Sequence, residues 1–222
     1  MSLKNNNIIT IDGPSASGKG SLAKALAKEL SFILLDSGLL YRAYSYCFDH
    51  SQNHSHAAEL FSNLNIKSID NEMHVFDNEK DITSILRHEG VAKSASELSS
   101  LKETRENLIN FQRDLASDRG LVADGRDMGT VVFPDAGTKI FLVADAEVRA
   151  ERRFLELQNA GQEVNMRDLI DDIRLRDEAD KAREISPLMP ADDSIELNSS
   201  NLTPQEVLII VLKIYKEKTK EV

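Results

Sequence analysis

A chain of 222 residues, 41% hydrophobic and 29% charged, has the make-up of a globular protein with room for one large α/β domain or a core carrying smaller lobes. A formal net charge of −10 disfavours a surface that gathers nucleic acid or acidic lipid, so any anion it binds must meet a local cationic pocket. The single cysteine, Cys47, excludes an internal disulfide and a cysteine-based metal site, fits a reducing cytosol, and reads as a small hydrophobe in a helix.

In chain order, apolar runs at Ile8–Ile11, Phe32–Leu35, Leu121–Ala123, Ile140–Val143 and Ser194–Leu197 read as buried strands, most of them separated by helical patterns. That alternation predicts a doubly wound parallel α/β sheet. After the first strand, Leu22, Leu26 and Leu30 form one apolar stripe of a helix. From about Leu64 to Leu86, short alternating segments around Asp70-Asn71-Glu72 and Asp77-Asn78-Glu79-Lys80 predict a small antiparallel insertion. A helix is expected from about Val91 to Ala116, and a charged helical stretch hinged near Gly161 from Ala146 to about Ile185. The last helix opens on Thr203-Pro204-Gln205-Glu206, a capping-box pattern with proline at the first helical position. No segment approaches the roughly 20 apolar residues of a membrane span, and the start lacks a signal peptide's apolar stretch, so a cytoplasmic protein is expected.

Chemistry concentrates at a few places. Strand Ile8–Ile11, the turn from Gly13 to Gly18, Lys19 and a following helix form the context of a phosphate-binding loop. Backbone N–H groups and the helix N-terminus face a di- or triphosphate there, and Lys19 bridges its outer phosphates. The strict pattern wants Ser or Thr after the lysine; here Gly20 intervenes and the hydroxyl sits on Ser21. Asp36 and Ser37 follow a strand's carboxyl end, where they are either a helix cap or a ligand pair with Arg42 one turn onward. Asp124 ends another strand and suits a magnesium-bound water or a cap. Arg176, Asp180 and Arg183 share one helix face, as an ion-pair ladder or a functional stripe. Arg149, Arg152 and Arg153 share another, as a solvated basic face or a lid. The five histidines, at 50, 54, 56, 74 and 88, show no carboxylate-partner pattern or zinc signature and read as surface residues.

Four stretches carry a resemblance to the bacterial cytidylate kinases, a branch of the nucleoside monophosphate kinases: GPSASGKGS from Gly13 to Ser21, LDSGLLYR from Leu35 to Arg42, ADGRDMGTVVFPD from Ala123 to Asp135, and RDEADKAR from Arg176 to Arg183. Ala16 stands where that family usually has glycine, Ser21 where threonine is common, and Leu39 where alanine is common. The resemblance implies a P-loop kinase core with a doubly wound sheet, a small NMP-binding insertion and a helical lid, all within one domain, 1–222. The core covers about 5–62, 117–145 and 186–222, the insertion about 63–116, and the lid about 146–185. It implies transfer of the γ-phosphoryl group of ATP to CMP or dCMP with Mg2+, by a monomer that binds neither nucleic acid nor membrane.

Residue by residue, it implies that Gly13, Pro14, Ser15, Ala16, Ser17, Gly18, Lys19, Gly20 and Ser21 hold ATP, with Arg149, Arg152 and Arg153 closing over its phosphates. Ser37, Tyr41, Arg42, Ser96, Arg105, Arg126, Asp127, Arg176, Asp180 and Arg183 would meet the acceptor. Lys19, Arg126 and Arg176 would act on the transferring group, and Ser21 and Asp124 on the metal. Ser96 and Arg105 taken alone would be ordinary surface residues. Two rivals remain: a kinase for another small acceptor (UMP, AMP or a non-nucleotide alcohol), and a nucleotide-dependent switch. The switch lacks a DxxG element, and Asn78-Glu79-Lys80-Asp81 has the guanine-reading residues in the wrong order.

Overall fold

The computed structural model describes residues 5–116, 119–159 and 161–220. Strand β1 (Asn5–Asp12) leads through α1 (Lys19–Leu30) to β2 (Ile33–Asp36), then to α2 (Ser37–Ser51) and α3 (His54–Ser62). A second group follows: β3 (Asn65–Ile69), β4 (Glu72–Asp77), β5 (Lys80–Asp81), α4 (Thr83–Leu86), α5 (Glu89–Leu98) and α6 (Lys102–Asp114). The chain closes with β6 (Leu121–Gly125), a π-helical turn (Met128–Val132), β7 (Ala136–Val143), α7 (Ala146–Asn159), α8 (Met166–Ala182), β8 (Ile195–Asn198) and α9 (Pro204–Lys220).

The large sheet is parallel throughout, in the order β2-β6-β1-β7-β8. Side chains two residues apart face the same way, so each strand divides its apolar residues between two cores. Leu35, Leu121 and Ala123 pack with Leu40, Tyr44 and Leu108 on one face. Ile9, Ile11, Leu34 and Val122 pack with Leu22, Leu26, Val207 and Val211 on the other. Helices therefore cover both faces, as the doubly wound expectation requires. The registers align Asp12 with Gly125 and Asp36 with Asp124, which gathers three strand-end carboxylates at one edge of the sheet. Ligands of open α/β sheets bind at that edge.

The capping box forms as spelled: Thr203 N–H donates to Glu206 Oε2 at 2.8 Å and Glu206 N–H to Thr203 Oγ1 at 3.3 Å. The antiparallel expectation is met by the sheet β3-β4-β5, whose first turn puts Asp70 and Asn71 at φ +52° and +61°. That left-handed pair matches a tight hairpin's twist. The helical stretch around 146–185 is α7 and α8 with Gly161 between them at φ +74°; the boundary drawn at 117 lies outside the described residues.

The single helix expected from Val91 to Ala116 is instead two. Ser99 Oγ donates to Ser96 O at 2.8 Å and Ser100 Oγ to Glu97 O at 2.7 Å, and Leu101 is extended. Consecutive serines bonding back to the preceding turn end α5, and the chain restarts as α6. Two histidines also depart from the surface expectation. His54 packs half-buried beside Tyr44, with Nδ1 3.1 Å from the phenol oxygen, and His74 Nδ1 meets Asp81 at 2.8 Å. Asp81 thus serves the small sheet, and the Asn78–Asp81 run forms a hairpin there. Cys47 is buried in α2. Among the described residues no helix is long and apolar enough to cross a membrane.

Candidate active site

The turn between β1 and α1 is shaped by backbone crowding. A Cβ on Gly13 would lie 2.1 Å from Leu142 O, so only glycine fits between the strands. Ala16 takes φ +57°, the left-handed conformation that favours glycine. Left-handed backbone costs an L-residue about 1–2 kcal/mol, partly offset by glycine's freer unfolded chain. Ala16→Gly is therefore expected to raise stability by up to about 1 kcal/mol in urea titration; a lower midpoint would contradict the strain.

Lys19 opens α1, and its ammonium turns back over the loop to donate to Pro14 O at 2.8 Å. Burial pushes its pKa down to about 7, Arg126 adding to the effect while Asp124 and Asp12 oppose it. Burial also raises Asp124 to about 6 and Asp12 to about 7, the latter against the pull of N–H donors from Gly129 and Met128. Two carboxylates, buried Asp12 and half-buried Asp124, thus act on the buried Lys19 ammonium.

The three arginines of α7 do not share one face toward the cleft. Arg149 is buried, forks onto Asp177 of α8 at 3.0 and 2.5 Å, and donates to Ser15 O at 3.1 Å. Arg152 donates to Ser17 O at 3.1 Å and to Ser199 O at 2.7 Å. Both guanidinium groups hold the loop's carbonyls from behind, because the loop backs directly onto α7. Only Arg153 reaches the cleft, where it pairs with Glu89 of α5.

At the end of β2, Asp36 is the cap of α2, accepting from Leu39 N–H at 2.9 Å, while Ser37 Oγ donates to Gln112 Oε1 at 2.9 Å. Arg42 donates to Leu86 O at 3.1 Å, and burial lowers its pKa despite Asp36. Arg105 of α6 meets Asp127 at 2.7 Å with both groups buried, and its guanidinium lies 5.8 Å from the centre of the Tyr41 ring. Asp180 is buried and holds Arg126 at 2.9 Å and Arg183. Burial alone would raise Asp180, but Arg126 and Arg183 carry it below the usual carboxylate range. Arg183 also donates to Ser99 Oγ at 2.9 Å. Burial and Arg126 press Arg176 down to about 10, and its buried Nε has no partner.

One cleft of about 480 Å³ is lined by Lys19, Gly20 and Ser21 together with Ser37, Ser96, Arg105 and Asp127. Nine cationic side chains, two lysines and seven arginines, line it in a chain of net charge −10. Gly13, Pro14 and Ser17 stand behind the lining, as does the pair Arg149 and Arg152. Four participants carried little signal in the sequence: Asp12, Glu89, Ser99 and Gln112.

A sequence model of the family described as cytidylate kinase matches residues 9–217. The chain belongs to the cytidylate kinase family. A cytidylate kinase of Mannheimia succiniciproducens is 42% identical over 97% of this chain and 98% of its own length. One from Caldicellulosiruptor saccharolyticus is 43% identical, covering 93% of this chain and 94% of the relative. Among solved structures, a gluconokinase from Sinorhizobium meliloti aligns with TM-score 0.51 at 14% identity, over 96% of this chain and 93% of that one. That likeness extends to the fold, and confirms the α/β P-loop kinase architecture of the family member described here.

Proposed function

We propose that this cytidylate kinase family member transfers the γ-phosphoryl group of ATP to CMP or dCMP, giving ADP and CDP or dCDP. The observation that carries the reading is the lining of one cleft, which brings the loop's Lys19, Gly20 and Ser21 together with the buried Arg105–Asp127 pair and six further arginines. The acceptor's phosphate oxygen is already a nucleophile, so no catalytic base is needed. The protein's task is in-line positioning, neutralisation of charge and exclusion of water.

Gly13 to Ser21 would cradle the phosphates of ATP, with the Lys19 ammonium leaving Pro14 O for the migrating group. Arg149 and Arg152 would contribute by fixing the loop's shape, and Arg153 by reaching the phosphates directly. Ser37 and Arg42 would meet the acceptor phosphate, with Arg126 and Arg176 flanking the transfer. Arg176 and Asp180 would address the sugar and Arg183 the rest of the acceptor. Ser96, Arg105 and Asp127 would read the base, with Tyr41 packed beside them. Residues 63–116 would form an NMP-binding insertion and 146–185 a lid on the core.

The Mg2+ that such transfer uses would be held chiefly by phosphates and water, supported by Ser21 and Asp124. No cluster of three or more metal-ligating side chains exists among the described residues, and the half-buried carboxylate of Asp124 facing Gly20 suits a hydrated, phosphate-bound ion. When bound, the ion would neutralise charge on the bridging phosphates. The reading includes a cytoplasmic monomer acting on small nucleotides, which the net charge of −10 and the buried lone thiol support.

Lys19 gives a pH test. Burial holds its pKa at about 7, well below the ordinary lysine range, so its charge is incomplete at pH 8. Adjacent phosphates raise that pKa, so the bound state carries more protons than the free state. Calorimetry at pH 8 with EDTA, in buffers of different ionisation enthalpy, is expected to show uptake of about one proton per ATP. Release of protons, or equal uptake in Lys19→Met, would contradict the assignment. The reading as a whole is tested by a coupled ADP-release assay across CMP, dCMP, UMP and AMP: release is expected with CMP or dCMP, and dominance of UMP or AMP would replace it with the rival kinase.

A further inference from the structure

Asp12 has no part in the roles above, yet it joins both halves of the site. It is the last residue of β1, directly before Gly13, and is 5% exposed. Its two oxygens take one N–H each: Oδ1 from Met128 and Oδ2 from Gly129, both at 2.8 Å. These are the first two N–H groups of the π-helical turn Met128–Val132, whose cap position is Asp127. An aspartate at a cap position ordinarily folds its carboxylate back onto the N–H groups that follow. Asp127 makes no such bond and points instead to Arg105 at 2.7 Å. The opposite end of the turn is tied as well: Arg113 of α6 donates through Nε and Nη2 to Val132 O and Val131 O, each at 3.0 Å. The close approach leaves no room at Gly129, where a Cβ would lie 2.9 Å from Thr10 Oγ1 and 3.3 Å from Asp12 Oδ2.

We infer that Asp12 is a positioning residue: its carboxylate occupies the N–H groups that Asp127 would otherwise cap, and this anchoring, with Arg113 at the far end, aims Asp127 at the acceptor base. The inference rests on the CMP kinase reading and adds a determinant of specificity to it. Asp12→Asn keeps the shape but sets an amide N–H against one of the two donors, so the turn loses one anchor and Asp127 gains a competing partner. Uridine and cytidine monophosphates then become less distinguishable, while ATP is little affected, because the N–H groups that Asp12 holds belong to Met128 and Gly129 and not to Gly13–Ser21.

The test is kcat/KM for CMP and UMP, with KM for ATP, in wild type, Asp12→Asn, Asp127→Ala and the double variant. Asp12→Asn is expected to lower kcat/KM for CMP by about tenfold to a hundredfold, corresponding to a buried polar group left unpaired, and to narrow the CMP to UMP ratio with KM for ATP within about twofold. In the Asp127→Ala background the same change should leave the ratio unmoved, because no carboxylate remains to be aimed. Equal losses for CMP and UMP in Asp12→Asn, or effects on the ratio that multiply in the double variant, would overturn the inference. Should Asp12→Asn not fold, Arg113→Met loosens the other end of the turn from an exposed side chain; it is expected to narrow the ratio, and an unchanged ratio would overturn the inference. A wild-type chain inactive on CMP would overturn the underlying reading as well, whereas wild-type preference with unchanged variant ratios overturns the inference alone.

Discussion

Lys19→Met is expected to cut turnover by about a hundredfold to a thousandfold or more while the protein stays folded. Preorganised donors to developing charge in a water-excluded site are worth roughly that much each, and Lys19 is the ammonium within the loop. Its hydrogen-bond partner is Pro14 O, and it is buried at a depressed pKa. Removing this cation leaves Asp124 and Asp12 without their opposite charge, so the melting temperature should fall, and kcat is read below it, where the variant is folded. Ser21→Ala should cost less, because Gly20 shifts that hydroxyl one helical step and its support of the metal would pass through water. Unchanged kcat in folded Lys19→Met would remove the loop from catalysis, and complete loss of metal-dependent activity in Ser21→Ala would make its contact direct.

Arg105→Met is the second large effect, and it concerns selectivity. A carboxylate or hydroxyl facing the N4 amino group accepts from cytosine but meets a lone pair on uracil, while a guanidinium facing N3 donates to cytosine and opposes uracil's N–H. Each unpaired buried group costs on the order of 1–3 kcal/mol, so wild-type preference for CMP should reach about tenfold to a hundredfold or more. Arg105 and Asp127 are both buried and paired, so removing the arginine also leaves a buried carboxylate uncompensated, at a stability cost of about 3–5 kcal/mol. The ratio of kcat/KM values, not the rate, is therefore the quantity to read. Arg105→Met should narrow it, whereas Arg42→Met, directed at the common phosphate, should weaken CMP and UMP about equally. A ratio unchanged in Arg105→Met would return that residue to a structural role.

What could be read ahead of the structure was whatever the chain writes locally. A strand, a glycine-rich turn and a helix are contiguous from Asn5 to Leu30, and Thr203 to Glu206 bond to one another, so sequence spacing reports them. Pairings across the chain were not legible. Ser37 meets Gln112 75 positions away, and Asp12 reaches Met128 116 positions away; neither partner carries a motif of its own. Spacing on α7 put Arg149, Arg152 and Arg153 on one face but could not say that they part, Arg153 to the cleft and the other two to the loop's carbonyls. The approach of the loop and Ser199 draws two of them backward. The Ser99-Ser100 break was hidden for a different reason: serines are tolerated in helices, and only their bonds to Ser96 O and Glu97 O end this one.

The central claim, a phosphoryl transferase whose buried Arg105–Asp127 pair selects cytosine, is tested most directly by competition. The chain is given ATP, magnesium and equal concentrations of CMP and UMP in one vessel, and CDP and UDP are quantified early in the reaction. The ratio of products is then the ratio of the two kcat/KM values. CDP is expected to exceed UDP by at least about tenfold. Equal yields, an excess of UDP, or ADP released with neither diphosphate formed would contradict the account.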